Sequence, residues 1–322
     1  MYFSKNNNFF HGIMFHHFHD DKLHTRINQG SISQDDFYKL IKFLGRTNIL
    51  NAKDFLLRLK ENRLTSKNLC LTFDDCLRCQ YDIALPVLED LNIKSFFFIQ
   101  SSVFTDNPDL LEVYRYFRMK YFKNVDEFYS SFFNICDENL DSFFAKKKNV
   151  IEETKQKFSF YSINDIKFRL VRDDMLNENK YQKLMLKMFE QKKFNPKEHY
   201  DVLHMSKSNV IKIKELGHII GLHSHTHPTK VEKLSNDEQL KQYTDNLNAV
   251  SEILNCQSTD IVSMSHPNGS YNSNTLKILE KLGIELGFLP IMTLNKNMKK
   301  INNSSLEIAR QDHANIIKSF ID

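Results

Sequence analysis

Short apolar runs alternate with amphipathic segments in the first third of the chain. An apolar run begins at residue 11 and gives way to polar residues by residue 20, which predicts an opening strand. Apolar residues at helical spacing predict a helix over 31–44, with Ser33 and two aspartates near its start. The runs at 68–73 and 93–100 predict strands, and the segment between them predicts a helix over 83–91. This order favours a parallel sheet or a barrel.

The same alternation returns after residue 205. The pattern predicts a helix to 216, a strand over 218–222, a helix over 237–254, a strand over 260–265, a helix over 273–282 and a strand over 285–289. The intervening segment, 102–204, is rich in Lys, Phe, Tyr, Asn and Asp, poor in Gly and Pro, and patterned as helices. We therefore expect a mainly helical insertion in an α/β fold.

Composition narrows the class of protein. With 322 residues, 41% of them hydrophobic, the chain is long enough to bury a large core, as in a soluble globular protein. The net charge of +4 arises from 44 basic and 40 acidic residues, which is too balanced to indicate a nucleic-acid partner. The first residues lack an apolar leader, no stretch approaches the length of a transmembrane segment, and the five cysteines are an odd number. We expect a cytoplasmic protein with reduced thiols, and nothing in the sequence indicates its oligomeric state.

Two aspartates and two histidines are candidates for a catalytic metal site. His223 and His227 follow the strand predicted to end at Leu222, and one coiled turn would direct both rings at a single point. We expect Asp75 to be the third ligand and Asp74 to take a proton from a metal-activated water. Imidazole and carboxylate ligands with an open position suit one divalent ion, with zinc favoured and iron, cobalt or nickel also compatible.

Each of these features also has a simpler interpretation. Adjacent aspartates after a strand often cap a helix or form a turn. On a straight strand, His223, His225 and His227 would merely share one face. The order of the motifs and their strand context favour the metal site.

The motifs resemble those of the polysaccharide deacetylases, carbohydrate esterase family 4, also called the NodB homology domain. Residues 72–75 (Thr-Phe-Asp-Asp) resemble the family's TFDD motif, and 223–228 resemble its H-[ST]-x-x-H-P motif. The stretch 265–272 resembles its P-x-G-x-Y-N segment. The resemblance spans about 13–288 and implies a distorted (β/α) barrel. The chain, 1–322, would then be a single deacetylase-like catalytic domain interrupted by the insertion at 102–204.

The resemblance also implies roles for these residues. The first aspartate, Asp74, would be the general base, and Asp75, His223 and His227 would bind the metal. In the third segment the N–H just after the proline would help to hold the oxyanion, which implicates Pro267, Asn268, Gly269 and Tyr271. Phe15-His16 resembles the opening strand of many members, so His16 either lines the mouth of the pocket or is satisfied by the backbone.

The chain departs from the family pattern in several places. Ser265 stands where relatives carry an arginine that holds the base, Cys76 stands where glycine is common, and the chain has no Trp for the D-W motif. Family members use a late histidine as general acid, often tuned by an aspartate. Arg310 and His313, with Asp312 between them, could take these roles from a C-terminal strand, although surface Arg and His residues near a C-terminus are more often merely solvated.

The resulting prediction is a metal-dependent hydrolase that removes an N-acetyl group from an amino sugar. The expected location favours a nucleotide- or lipid-linked sugar precursor of a surface glycan. Another acyl group remains an alternative, namely a formamide, an O-acetyl ester or a cyclic imide. So does an inactive carbohydrate-binding homologue, which the missing arginine would favour. An amidohydrolase barrel would need further His and Lys ligands in an order that the chain lacks.

Overall fold

Seven parallel strands form the main sheet of this protein. The computed structural model describes residues 8–20, 30–106, 108–157, 161–294 and 298–321. The strands are β1 (His11–Phe15), β2 (Phe18–His19), β3 (Ile32–Ser33), β4 (Leu69–Phe73), β5 (Phe96–Ile99), β6 (Ile219–Leu222), β7 (Ser263–Ser265), β8 (Leu286–Phe288) and β9 (Arg310–Asp312). Their order in the seven-stranded sheet is β8-β7-β6-β5-β4-β1-β9, and β2 pairs with β3 separately.

The segment around β9 brings the two edges of this sheet together. Phe288 and Ile308 form a parallel bridge, and the Leu289 N–H donates to the Ile308 carbonyl at 2.8 Å. On the other side of the same segment, the Gly12 N–H donates to the Ala309 carbonyl at 2.9 Å. The sheet is therefore a nearly closed barrel, and the predicted fold class is confirmed.

Helices cover the barrel strands. Those of the barrel part are α1 (Gln34–Leu44), α2 (Ala52–Lys60), α3 (Leu85–Asp90), α11 (Lys207–Glu215), α12 (Asn236–Leu254), α13 (Ser273–Lys281) and α14 (His313–Ile321). A π-helical turn at Gln80–Ala84 precedes α3, so the helix predicted at 83–91 begins earlier and in a wider form. The pattern did not predict α2 or α14.

Residues 110–200 form a second compact unit. Its described residues contain helices α4 (Leu111–Lys120), α5 (Val125–Ile135), α6 (Leu140–Lys146), α7 (Lys148–Lys157), α8 (Ile163–Leu170) and α9 (Glu178–Gln191), and α10 (Tyr200–Leu203) follows. Aromatic side chains build its core, where the Phe117 ring lies 4.7 Å from Phe189 and 5.0 Å from Phe194. The domain assignment, one catalytic domain with an insertion, stays a prediction.

The barrel strands are buried on both faces, which explains the three consecutive phenylalanines of β5. Phe97 stacks on Phe73 at 4.6 Å on one face. Phe96 and Phe98 point to the other face, where they meet Phe288 at 5.4 and 5.6 Å. Alternation along β4 then places Thr72 and the residue after the strand, Asp74, on the same face as each other. None of the described helices is both long and apolar enough to cross a membrane.

Candidate active site

Polar side chains gather where several barrel strands end. Asp74 and Asp75 follow β4, His223 follows β6, and His16 follows β1. Because parallel strands present their C-terminal ends at one end of a barrel, these side chains converge there. The position is the one at which barrel proteins carry their functional groups.

Asp75, His223 and His227 form a tight buried cluster. One ligand atom from each lies within 4.8 Å of the others. The Asp75 Oδ1 is 3.1 Å from His223 Nε2 and 3.4 Å from His227 Nε2. Three oxygen and nitrogen ligands at this spacing could hold a divalent metal ion.

The hydrogen bonds of the cluster fit a cation. His223 Nδ1 lies 2.9 Å from the Ser265 carbonyl, which only accepts, so Nδ1 carries the proton and Nε2 directs its lone pair toward Asp75. Among the described residues, neither Asp75 Oδ1 nor His227 Nδ1 has a hydrogen-bond partner, although both atoms are buried. A buried acceptor oxygen that faces ring nitrogens is satisfied by a positive ion between them.

Charge and burial keep Asp75 ionised and His227 neutral, which are the forms that bind a metal ion. Burial raises the pKa of Asp75, but the adjacent imidazoles of His223, His227 and His16 outweigh it and hold the pKa well below the ordinary value. Burial lowers the pKa of His227 to about 4, which makes this ring neutral. Burial also lowers the pKa of His223, but Asp74 and Asp75 more than offset that effect and leave it raised. An ionised carboxylate beside imidazoles is the donor set that a divalent metal requires.

A strained turn aims Asp75 at the two histidines. Asp75 and Cys76 have φ of 76° and 59°, in the left-handed region that side-chain-bearing residues seldom adopt. A glycine, which the family resemblance leads us to expect at position 76, would adopt this conformation freely. Burial raises the pKa of the Cys76 thiol, so this cysteine is protonated at neutral pH.

Asp74 is held by a buried arginine from the strand that closes the barrel. Arg310 donates five hydrogen bonds, which match its five N–H groups: two to Asp74, one each to Thr72 and Ser265, and one to the Leu289 carbonyl. Burial raises the pKa of Asp74, but the Arg310 guanidinium and neighbouring imidazoles lower it to about 2. Asp74 is therefore ionised at neutral pH.

Two small residues make room for this arginine. A Cβ on Gly12 of β1 would lie 2.9 Å from Arg310 Cγ, so only glycine fits beside it. Ser265 donates to Asp74 Oδ2 at 3.0 Å, and its oxygen lies 2.7 Å from Arg310 Nη2. The sequence drew attention to Ser265 only because the family pattern has an arginine at that position. Its contacts with both Asp74 and Arg310 were not predicted.

His16 lies beside both aspartates. Its Nε2 is 3.9 Å from Asp74 Oδ2 and from Asp75 Oδ2, and its side chain is 28% exposed. Gln80, which sequence reasoning missed, donates to the His16 carbonyl at 2.9 Å and to the Asp74 carbonyl at 2.6 Å. This buried amide ties the ends of β1 and β4 together.

The third motif forms a tight turn at Pro267–Gly269. Asn268 is exposed at φ 52°, and a Cβ on Gly269 would come within 2.8 Å of Pro290. Tyr271 is buried and donates to Glu307 at 2.8 Å. The turn and Tyr271 thus contact the segment between β8 and β9, which contains Pro290 and Glu307.

His313 begins α14 and is buried. Its Nδ1 is 3.1 Å from the Met14 carbonyl, and its ring stacks on Phe15 at 5.0 Å. Burial lowers its pKa, and Asp312 partly opposes this effect. Over the described ranges, no hydrogen bond or ion pair joins His313 to Asp74 or to the cluster, so its catalytic role stays a prediction.

These features define a barrel with a buried Asp-His-His cluster that could hold a divalent ion at its strand ends. A family model for polysaccharide deacetylases matches residues 61–118 and 137–287. The chain therefore belongs to the polysaccharide deacetylase family, and the resemblance drawn from its motifs is confirmed. The matched residues include Asp74, Asp75, His223 and His227, but His16, Arg310 and His313 lie outside them.

Solved structures with this fold cover nearly all of the chain. A Streptococcus pyogenes deacetylase, PplD, in complex with acetate has a TM-score of 0.54 at 15% identity, covering 95% of this chain and 93% of that one. IcaB from Ammonifex degensii has a TM-score of 0.54 at 12% identity, covering 97% and 98%. A de-N-acetylase from Aggregatibacter actinomycetemcomitans has a TM-score of 0.53 at 12% identity, covering 97% and 99%. At such identities the similarity shows the fold alone. No curated protein sequence matches the chain.

Proposed function

We propose that this protein is a metal-dependent hydrolase that removes an N-acetyl group from an amino sugar. One observation carries the proposal: the buried Asp75, His223 and His227 cluster lies beside Asp74, which Arg310 keeps ionised. Family membership supports hydrolysis of acetylated carbohydrate. The similarity to acetyl-removing proteins of the same fold is consistent with it.

Asp75, His223 and His227 would hold one divalent ion. Zinc suits this donor set best, and iron, cobalt and nickel suit it too. When bound, such an ion supplies positive charge that polarises a carbonyl group and makes a water molecule more acidic.

Asp74 accepts the proton of the attacking water. Its carboxylate is buried, ionised and adjacent to the cluster, so it is within reach of a water molecule held there. Arg310 and Ser265 fix its orientation and do not themselves touch the reacting atoms. Water attack on the acetamide breaks the C–N bond and yields acetate and the free amine.

The remaining predicted site residues would stabilise the oxyanion, line the site or protonate the leaving group. The Asn268 N–H supports the developing oxyanion, and Pro267, Gly269 and Tyr271 shape the turn that presents it. His16 lines the mouth of the site, and His313 protonates the leaving amine.

We expect the substrate to be a nucleotide- or lipid-linked amino sugar. This substrate and the cytoplasmic location stay predictions from the sequence. Acetate release from a panel of N-acetylated nucleotide sugars and chitooligosaccharides tests the predicted substrate. Acetate from one small substrate supports it, whereas formate release or O-acetyl cleavage would replace the acetamide with another acyl group.

A further inference from the structure

The segment that carries both histidines has an unfavourable backbone conformation. Ser224 and His227 have φ of 62° and 52°, the left-handed region, and neither is glycine. Such a conformation persists only where surrounding contacts determine it. The contacts that hold residues 223–227 therefore decide where the two imidazoles lie.

Four of these contacts come from two side chains on one helix. Asn246 Oδ1 accepts from the His223 N–H at 2.9 Å. Gln242 Oε1 accepts from the His225 and Thr226 N–H groups at 3.2 and 2.9 Å. Gln242 and Asn246 are four residues apart in α12, so they lie on the same face of that helix. We call this pair the amide clamp.

The clamp needs donors as well as acceptors. Asn246 Nδ2 donates to the Ile99 carbonyl at 3.0 Å and to Ser101 Oγ at 2.9 Å. Gln242 Nε2 donates to Thr226 Oγ1 at 2.8 Å. An amide does both, whereas a carboxylate of the same shape only accepts and would add a buried charge. Asn246 is fully buried, so none of its hydrogen bonds is replaceable by solvent.

Ser101, which accepts a hydrogen bond from Asn246, links the amide clamp to His225, the histidine that lies between the two candidate ligands in sequence. Its Oγ lies 2.9 Å from His225 Nδ1, and its neighbour Ser102 donates from its backbone N–H to the His225 carbonyl at 2.9 Å. The end of β5 and one face of α12 thus enclose the histidine segment from two sides. The Nε2 atoms of His223 and His227 face Asp75 in the cluster.

We propose that Gln242 and Asn246 are positioning residues that hold His223 and His227 in the geometry needed to bind a metal ion. This inference rests on the proposed metal site. It goes beyond that site because the clamp touches only the backbone and hydroxyl groups of the segment, and neither side chain is itself a ligand.

The test compares Asn246→Asp and Gln242→Glu with Asn248→Asp, which places the same change on the exposed side of α12. The probe is Co²⁺, with affinity from chelator competition, ligand geometry from its visible absorption spectrum, and melting temperature of the metal-free protein. We expect either clamp variant to lose roughly tenfold or more in Co²⁺ affinity and to change the spectrum. Asn248→Asp should match the wild type in both.

The outcomes separate the two proposals. If wild-type protein binds no Co²⁺, the proposed metal site itself fails. If the wild type binds Co²⁺ and a folded clamp variant keeps its affinity and spectrum, the clamp is overturned while the metal site stands, even if the melting temperature falls. Should Asn246→Asp not fold, the half-buried Gln242→Glu decides the question.

Discussion

Arg310 donates two parallel hydrogen bonds to Asp74, from Nη1 to Oδ1 at 2.8 Å and from Nη2 to Oδ2 at 2.7 Å. The two residues are 236 positions apart, and both side chains are almost fully buried. The contact exists because β9 enters the barrel beside β1, where Gly12 leaves space for the arginine. In this chain, therefore, the carboxylate beside the candidate metal site depends on the closing strand.

Replacing Arg310 by methionine should destabilise the protein by about 3–5 kcal/mol, because it leaves the charge of Asp74 buried without a partner. Acetate release should fall as well, since Asp74 loses the two hydrogen bonds that fix its orientation. Urea unfolding at neutral pH measures the first effect. Arg63→Met is the matched control, because its partner Glu61 is exposed and the loss should be small. Equal effects from both variants would contradict this account.

Replacing Asp74 by asparagine should separate catalysis from metal binding. The variant should keep its metal ion, because Asp74 is not in the ligand cluster, and lose about 10²–10⁴-fold in rate. Asp75→Ala and His223→Ala should lose both metal and activity. Metal analysis of the three purified variants, together with acetate release, checks these outcomes. Loss of metal from Asp74→Asn would mean that the ligand and base are assigned the wrong way round.

His313→Ala should keep the metal ion and lose rate, if this histidine protonates the leaving amine. Its ring contacts Phe15 and the Met14 carbonyl rather than the cluster, so metal content should not change. The pH–rate profile is the measurement, and the variant should lose the limb that reports the acid. An unaltered profile removes His313 from the mechanism.

Acid should destabilise the protein through His218, which lies away from the candidate site. Its Nδ1 accepts a hydrogen bond from the Ser95 N–H at 3.0 Å, and burial lowers its pKa to about 4. Because the folded-state pKa lies below the unfolded value, the stabilisation is complete above about 6.5 and is lost as pH falls toward 4. The full loss is about 3 kcal/mol, from roughly 1.4 kcal/mol per pKa unit.

His218→Gln isolates this effect. The difference in free energy of unfolding between wild type and variant should shrink as pH falls from 7.5 to 4.5, with chelator present throughout. A difference that stays constant over this range would show that His218 is not held neutral.

The strands and both motif segments could be predicted because their signals are local. β4, β5 and β6 are short apolar runs bounded by polar residues, and Asp74, Asp75 and His223 directly follow two of them. Helix α2 was not predicted, although Asn51 at its N-cap, Asp54 in its first turn and basic residues in its last turn are local signals for a helix.

Apart from Arg310, which the sequence offered as a candidate to hold the base, the contacts that hold the site could not be predicted, because they depend on which distant segments meet. β9 consists of Arg-Gln-Asp, which has no apolar run to mark it as a strand, and its pairing with β1 follows only from barrel closure. Asn246 looks like an ordinary polar position of a helix until α12 packs against the histidine segment. The local pattern of apolar and polar residues does not show that such a polar side chain is buried.

The most direct test of the account measures metal content and acetate release on the same preparations, purified without chelator, for wild type and Asp75→Ala. We predict one divalent ion per wild-type chain, acetate release that chelation abolishes and added metal restores, and neither property in the variant. Metal-independent acetate release, or a wild type that binds no divalent ion, would contradict the central claim that Asp75, His223 and His227 form the metal site of a deacetylase.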